Sequence, residues 1–153
     1  MFWMNKMRRV FIIRKDLHLS SGKLAAMVAH CAEAYWTNMI RGEVPVKRDG
    51  DDLVYVVKID ADIYDEYVNA SFTKTICEAR NLNQLSKAEE VAKELKLVEG
   101  VDYGFIDDNC LTELKPEFIG ADGKPYCRVG MWFKPLPDET AHLISKKYPL
   151  YRD

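Results

Sequence analysis

The chain has 153 residues, 48% of them apolar and 30% charged, and a formal net charge of −2. This composition excludes a disordered chain and suits one domain, 1–153, with a proper hydrophobic core; the near-neutral charge argues neither for nor against nucleic acid. Four widely spaced cysteines (Cys31, Cys77, Cys110 and Cys127) form no C-x-x-C pair, which argues against a disulfide framework or a zinc site and for free thiols in a reducing cytoplasm.

No apolar run approaches the roughly 20 residues of a membrane span, and Met1–Lys6 lacks the basic-then-apolar order of a signal peptide. Val10-Phe11-Ile12-Ile13, β-branched and aromatic, reads as a buried strand. Residues 21 to about 41 read as a helix whose core stripe is Leu24, Val28, Cys31 and Tyr35, closed by Gly42 and Pro45. Leu53–Ile59 (Leu-Val-Tyr-Val-Val-Lys-Ile) reads as a second strand, continuous enough to be central. Ile63 to Ala70 reads as a short helix, and Thr73 to Gln84 as more helix or an excursion. Ser86-Lys87-Ala88-Glu89 has the form of a capping box for a helix closed by Gly100. Val101 to Ile106 is a third strand ending in Asp107-Asp108-Asn109. The Asp122-Gly123 turn introduces a strand from Tyr126 to Phe133, and Asp138 opens a last helix through Lys147. The order implies an α/β domain with a mixed sheet of about four strands.

Two stretches carry candidate chemistry. In the first, Arg14 to Ala32, a loop of basic, hydroxylic and glycine residues opens onto the first helix, with Ser20 or Ser21 as its cap. Lys23 then lies in the first turn, where the helix macrodipole disfavours a cation, so a compensating anion or carboxylate is expected. Lys23, Met27 and His30 share one stripe of that helix. In the second, Asp107 to Glu113 follows a strand's carboxyl end, where open α/β sheets bind ligands. Its carboxylates and Thr112 hydroxyl can position a water, accept a proton or pair with Lys23. Pairing Cys110 with His30 as nucleophile and base is a covalent alternative. Lys6, Arg8, Arg9, Arg14, Lys15 and Lys23 oppose one acid, Asp16, within the first 23 residues, which suits a polyanion docking near this strand and helix.

Together these stretches resemble the type 2 peptidyl-tRNA hydrolase family. Its first motif reads approximately R-T-D-L-K-M-G-K-G-K-I-A-A-Q-x-A-H-A, and Arg14, Asp16, Leu17, Gly22, Lys23, Ala25, Ala26, Ala29 and His30 fall on matching positions. Its second, D-A-G-R-T-Q, aligns with Asp108 to Glu113, and its closing strand and proline turn look like Val129 to Pro135. Extra residues fall around Thr73 to Gln84 and Ala121 to Pro125. The departures are His18 for a lysine, Met27 for a glutamine, and Cys110, Leu111 and Glu113 for glycine, arginine and glutamine. The arginine change removes a phosphate or carboxylate contact.

The resemblance implies a three-layer fold, a homodimer, and hydrolysis of the ester joining a peptide to the terminal ribose of tRNA, without a cofactor or metal. It implies Lys23, Asp108, Thr112 and His30 as catalytic residues: Lys23 paired with Asp108 and assisting the oxyanion or the leaving oxygen, Asp108 and Thr112 orienting water, and His30 a neighbouring donor or base. Arg14, Lys15, His18 and Gly22 are the substrate-binding candidates. Two other readings remain: a non-catalytic member of the fold that binds RNA or a protein through a remodelled cleft, and an enzyme acting on small anionic acyl substrates.

Overall fold

In the computed structural model, which describes residues 6–153, the strands are β1 (Met7–Arg14), β2 (Lys47–Asp49), β3 (Asp52–Val54), β4 (Thr73–Ala79), β5 (Tyr103–Asp108), β6 (Phe118–Ile119), β7 (Pro125–Phe133) and β8 (Leu136–Pro137). The helices are α1 (Ser21–Thr37), a π-helix at Ile63–Ser71, α2 (Leu82–Glu94) and α3 (Asp138–Ser145). The Met1–Lys6 opening lies outside the described residues apart from Lys6. No helix among the described residues is long and apolar enough to cross a membrane.

The main sheet runs β4-β1-β7-β5, with β6 pairing to β7 and β8 to β1. It is mixed, because β1 is parallel to β4 and antiparallel to β7, and β5 is antiparallel to β7. Alternation along β1 feeds two cores. Val10 and Ile12 join Leu85, Ala88 and Ala92 of α2 and Ala141 and Ile144 of α3. Phe11 and Ile13 join Met27, Cys31 and Tyr35 of α1 and Ile63 and Tyr67 of the π-helix. Helices therefore cover both faces, and a strand buried on both sides is apolar through its centre, as Val10–Ile13 is, while the flanking Arg9 and Arg14 are buried with their hydrogen-bonding partners. A side chain at Gly104 of β5 would meet the Trp132 indole of β7 at 2.7 Å, so the glycine makes room for it.

Three local expectations need correction. The strand beside β1, at the end of the main sheet, is Thr73–Ala79, where a helix or excursion was expected, and Leu53–Ile59, expected to be central, stays outside that sheet. Only Leu53 and Val54 of that run are paired, as part of Asp52–Val54 in a hairpin with Lys47–Asp49, and Val56 and Val57 are exposed. Both runs have strand-forming residues; Thr73–Ala79 aligns in full register beside β1 and runs directly into α2, so it completes the core.

At α2, the cap is Asn81, whose side chain accepts the Gln84 N–H at 2.9 Å, and Ser86 lies one turn inside the helix, donating to the Leu82 carbonyl at 2.9 Å. Burying Leu85 favours this earlier start. The helix also ends before Gly100: Lys96 adopts the left-handed conformation (φ 63°), and the Leu97 N–H closes on the Ala92 carbonyl at 3.0 Å. Finally, the core face of α1 runs through Met27, Cys31 and Tyr35, with Leu24 and Val28 only half-buried.

Candidate active site

Helix α1 and strand β5 form a groove, and Lys23 and Asp108 meet across it. Ser20 caps α1 by accepting the Lys23 N–H at 3.3 Å, which places the Lys23 side chain in the first turn, facing β5. Lys23 Nζ donates to Asp108 Oδ1 at 2.6 Å and to Thr112 Oγ1 at 3.1 Å. The second carboxylate oxygen, Oδ2, accepts the Cys110 N–H at 2.9 Å. The Lys23 and Asp108 side chains are 14% and 6% exposed, so the ion pair is largely shielded from water. The cation that the macrodipole disfavours thus has its compensating carboxylate.

The altered second motif has its own chemistry. Glu113, where the family pattern has glutamine, accepts the Ser20 hydroxyl at 2.7 Å and the Ser20 N–H at 3.1 Å. These bonds hold its carboxyl below the ordinary carboxylate range, with the Lys23 charge adding to them. A carboxylate accepts through both oxygens, so glutamate performs this clasp more fully than an amide would. Cys110, where the pattern has glycine, adopts φ 62°, a left-handed conformation that glycine takes without strain. Burial and the nearby Asp108 and Glu117 carboxylates push its thiol pKa up, which opposes a thiolate nucleophile. Leu111 is 80% exposed.

The remaining candidates separate. His18 is exposed at the loop tip (φ 49°), and Lys15 lies beside it, 3.8 Å from Glu78 and over the Tyr151 ring at 4.4 Å. A side chain added at Gly22 would meet nothing within 4 Å, so the protein itself does not require glycine there. That open space at a helix start leaves room for a ligand to approach the backbone. Arg14 is 3% exposed and committed inside the protein. It forks onto Asp16 (3.1 and 2.8 Å), donates to Glu117 at 2.6 Å and bonds the Arg128 carbonyl at 2.9 Å.

His30 is exposed two turns along α1 from Lys23, where it lines a pocket of about 270 Å³ with Glu33 and Thr37 of the same helix, Asn38 at its C-cap, and Phe105 and Asp107 of β5. Sequence reasoning missed this pocket, although the recurrence of 23, 30, 33, 37 and 41 along one helical face was its signal.

The N-terminal basic cluster also divides. Arg9 is fully buried, donating to the carbonyls of Cys31 (3.1 Å), Ala32 (2.7 Å) and Phe133 (2.9 Å), and its pKa is lowered to about 10, chiefly by burial. Arg8 pairs with Asp138 at 3.1 Å. The cluster is therefore largely internal wiring rather than one basic surface.

Among the described residues no group of three or more histidine, cysteine or acidic side chains could hold a metal ion. The site can instead present a shielded ammonium, a hydroxyl and an oriented carboxylate to a polar substrate.

Comparison with known proteins places the chain in a family. The model of the family described as peptidyl-tRNA hydrolase PTH2 matches residues 7–151. The chain is also 25% identical over 143 residues, 94% of its own length and 97% of the relative's, to a protein named peptidyl-tRNA hydrolase from Thermoplasma acidophilum. From its first strand to the end of its core, this chain belongs to the peptidyl-tRNA hydrolase PTH2 family.

Proposed function

We propose that the chain hydrolyses the ester between a peptide and the terminal ribose of tRNA, with Lys23, Asp108 and Thr112 as its catalytic group. The observation that carries the proposal is the Lys23 ammonium bridging Asp108 and Thr112 at the mouth of the groove. An ammonium has three protons. Two are engaged by Asp108 and Thr112, and the third is left for the oxygen on which charge develops. Water adds to the ester carbonyl, the carbonyl oxygen becomes an oxyanion, and collapse breaks the bond to the ribose oxygen. That oxygen leaves as an alcohol after taking a proton, and the peptide leaves as a carboxylic acid. Lys23 stabilises the oxyanion or the departing oxygen electrostatically, in a site already arranged for it. Because the Thr112 hydroxyl oxygen accepts from Lys23, its own proton is directed away from the lysine and can orient the water.

Asp108 holds Lys23, and the Cys110 N–H holds Asp108. Lys15, His18 and the open backbone at Gly22 meet the tRNA end, while Arg14 shapes the loop that carries them. His30 acts from the pocket wall rather than beside Lys23. The free thiols of Cys31, Cys77, Cys110 and Cys127 support a cytoplasmic setting in translation, and the family resemblance supports a homodimer.

Incubation of the purified chain with N-acetylaminoacyl-tRNA tests the reading. It requires release of deacylated tRNA, and a preference for that substrate over a small free acyl ester. Cleavage of free esters with no inhibition by tRNA would favour a small-substrate enzyme. Tight tRNA binding without turnover would favour a non-catalytic binder, for which the exposed Leu111 in place of an arginine is the supporting observation.

A further inference from the structure

The pocket at the far end of the α1–β5 groove differs from the basic cluster in one respect. The side chains of that cluster are mostly committed to partners within the protein, whereas of the pocket's charged side chains Asp107 alone is paired among the described residues, with Arg128 at 2.8 Å, and the helix side of the wall is not. Neither the Glu33 carboxylate nor the His30 imidazole holds a hydrogen bond or ion pair among the described residues, and both face the same cavity. Asn38 is tethered by donating from Nδ2 to the Gly100 carbonyl at 3.3 Å, which fixes an amide at the pocket's end. The Thr37 hydroxyl donates to the Glu33 carbonyl at 3.2 Å, and β5 contributes Phe105 and Ile106 to the lining, the Phe105 ring itself packing beside Tyr103 and under the Arg128 guanidinium at 4.0 Å.

The pocket is aligned with the reactive end of the groove. His30 is seven residues from Lys23 on one helical face, about 10 Å by helical rise. That is comparable with the reach of a nucleoside from its ester oxygen to the far edge of its base. The substrates of the proposed reaction differ in their acyl side chains, which a fixed polar rim would not serve. All of them carry the same terminal adenosine. Adenine offers an exocyclic amine as donor and ring nitrogens as acceptors, and the pocket offers a free carboxylate and an anchored amide.

We infer that this pocket is the binding site for the terminal adenine of the tRNA, with Glu33 accepting the exocyclic amine and the anchored Asn38 amide meeting a ring nitrogen. The inference rests on the peptidyl-tRNA reading for its choice of nucleoside. It assigns Glu33 to base specificity rather than to catalysis.

Titration of the intact protein with AMP and with IMP, which carries an oxo group in place of the amine, tests it by calorimetry or amide chemical shifts. AMP binds about tenfold more tightly than IMP, corresponding to one well-formed hydrogen bond. Glu33→Ala brings AMP down to the IMP level, Thr37→Trp fills the pocket and weakens both, and Lys23→Ala leaves the AMP preference unchanged. The helical circular dichroism of each variant shows that it is folded. Equal binding of AMP and IMP by the unaltered protein, or a preference that survives Glu33→Ala, overturns the pocket assignment even where peptidyl-tRNA is hydrolysed. AMP preference that Glu33→Ala removes, without hydrolysis of peptidyl-tRNA, supports the pocket and refutes the catalytic reading alone.

Discussion

Replacing Arg14 by methionine separates a scaffold role from a tRNA contact. The guanidinium is 3% exposed and makes four hydrogen bonds: two to Asp16 and one each to Glu117 and the Arg128 carbonyl. Breaking a fully buried ion pair costs about 3–5 kcal/mol. The Asp16 and Glu117 side chains are 35% and 28% exposed, so both carboxylates regain some water when the cation is removed. A loss of about 2–3 kcal/mol is expected, which lowers Tm by about 5–10 °C in a chain of this size. Arg14 also holds the Glu117 carboxyl below its ordinary value of 4.5. A depressed carboxyl pKa contributes stability that is present above the ordinary value and lost as pH falls through the folded one. The stability gap between the native chain and Arg14→Met therefore narrows as pH falls below about 4. In tRNA binding, the slope of log K against log salt is unchanged in Arg14→Met, whereas Lys15→Ala reduces it by about 0.7–0.9. Calorimetric unfolding and a salt titration of tRNA binding measure both effects. An Arg14→Met variant with unaltered Tm and a salt slope reduced by one phosphate would refute the scaffold assignment.

Cys110→Gly removes a side chain from a left-handed backbone position, and the lost strain offsets the glycine's greater unfolded-state entropy. The urea midpoint should stay level or rise by an amount worth up to about 1 kcal/mol; a clear fall would contradict the strain argument. Cys110→Ser should keep peptidyl-tRNA turnover within about threefold, whereas a nucleophilic thiol would lose far more. A methyl group added at Gly130 of β7 would meet the Ile13 side chain at 2.7 Å and the Ile12 carbonyl at 2.8 Å. Gly130→Ala should therefore destabilise by at least about 1–3 kcal/mol in urea unfolding, and an unchanged midpoint would show that β1 and β7 can separate without cost.

The parts of the fold visible in the sequence were those fixed by local pattern. Val10–Ile13 could only be a buried strand, and Lys23 in a helix's first turn demanded a partner that the structure supplies in Asp108. What was hidden depended on competition between distant segments. Leu53–Ile59 and Thr73–Ala79 are both plausible strands, and only full register beside β1, with continuation into α2, selects the second. Ser86 looked like a cap because Ser and Glu stood at the right spacing, yet Asn81 supplies the cap once Leu85 is buried. The basic N-terminus misled in the same way. Charge counts cannot show that Arg9 is bonded to helix carbonyls or that Arg14 is surrounded by carboxylates. In the second motif, Glu113 had the appearance of a simple departure until its clasp on Ser20 was visible.

The central claim is that the Lys23–Asp108 pair performs ester hydrolysis. Single-turnover cleavage of N-acetylaminoacyl-tRNA by saturating enzyme, compared among the native chain, Lys23→Ala and Asp108→Asn, tests it most directly. Loss of a preorganised donor to the oxyanion predicts a rate reduced by about 10²–10³ in Lys23→Ala. Asp108→Asn should fall in the same direction while tRNA affinity is retained in both variants. Native single-turnover rates in both variants would contradict the claim.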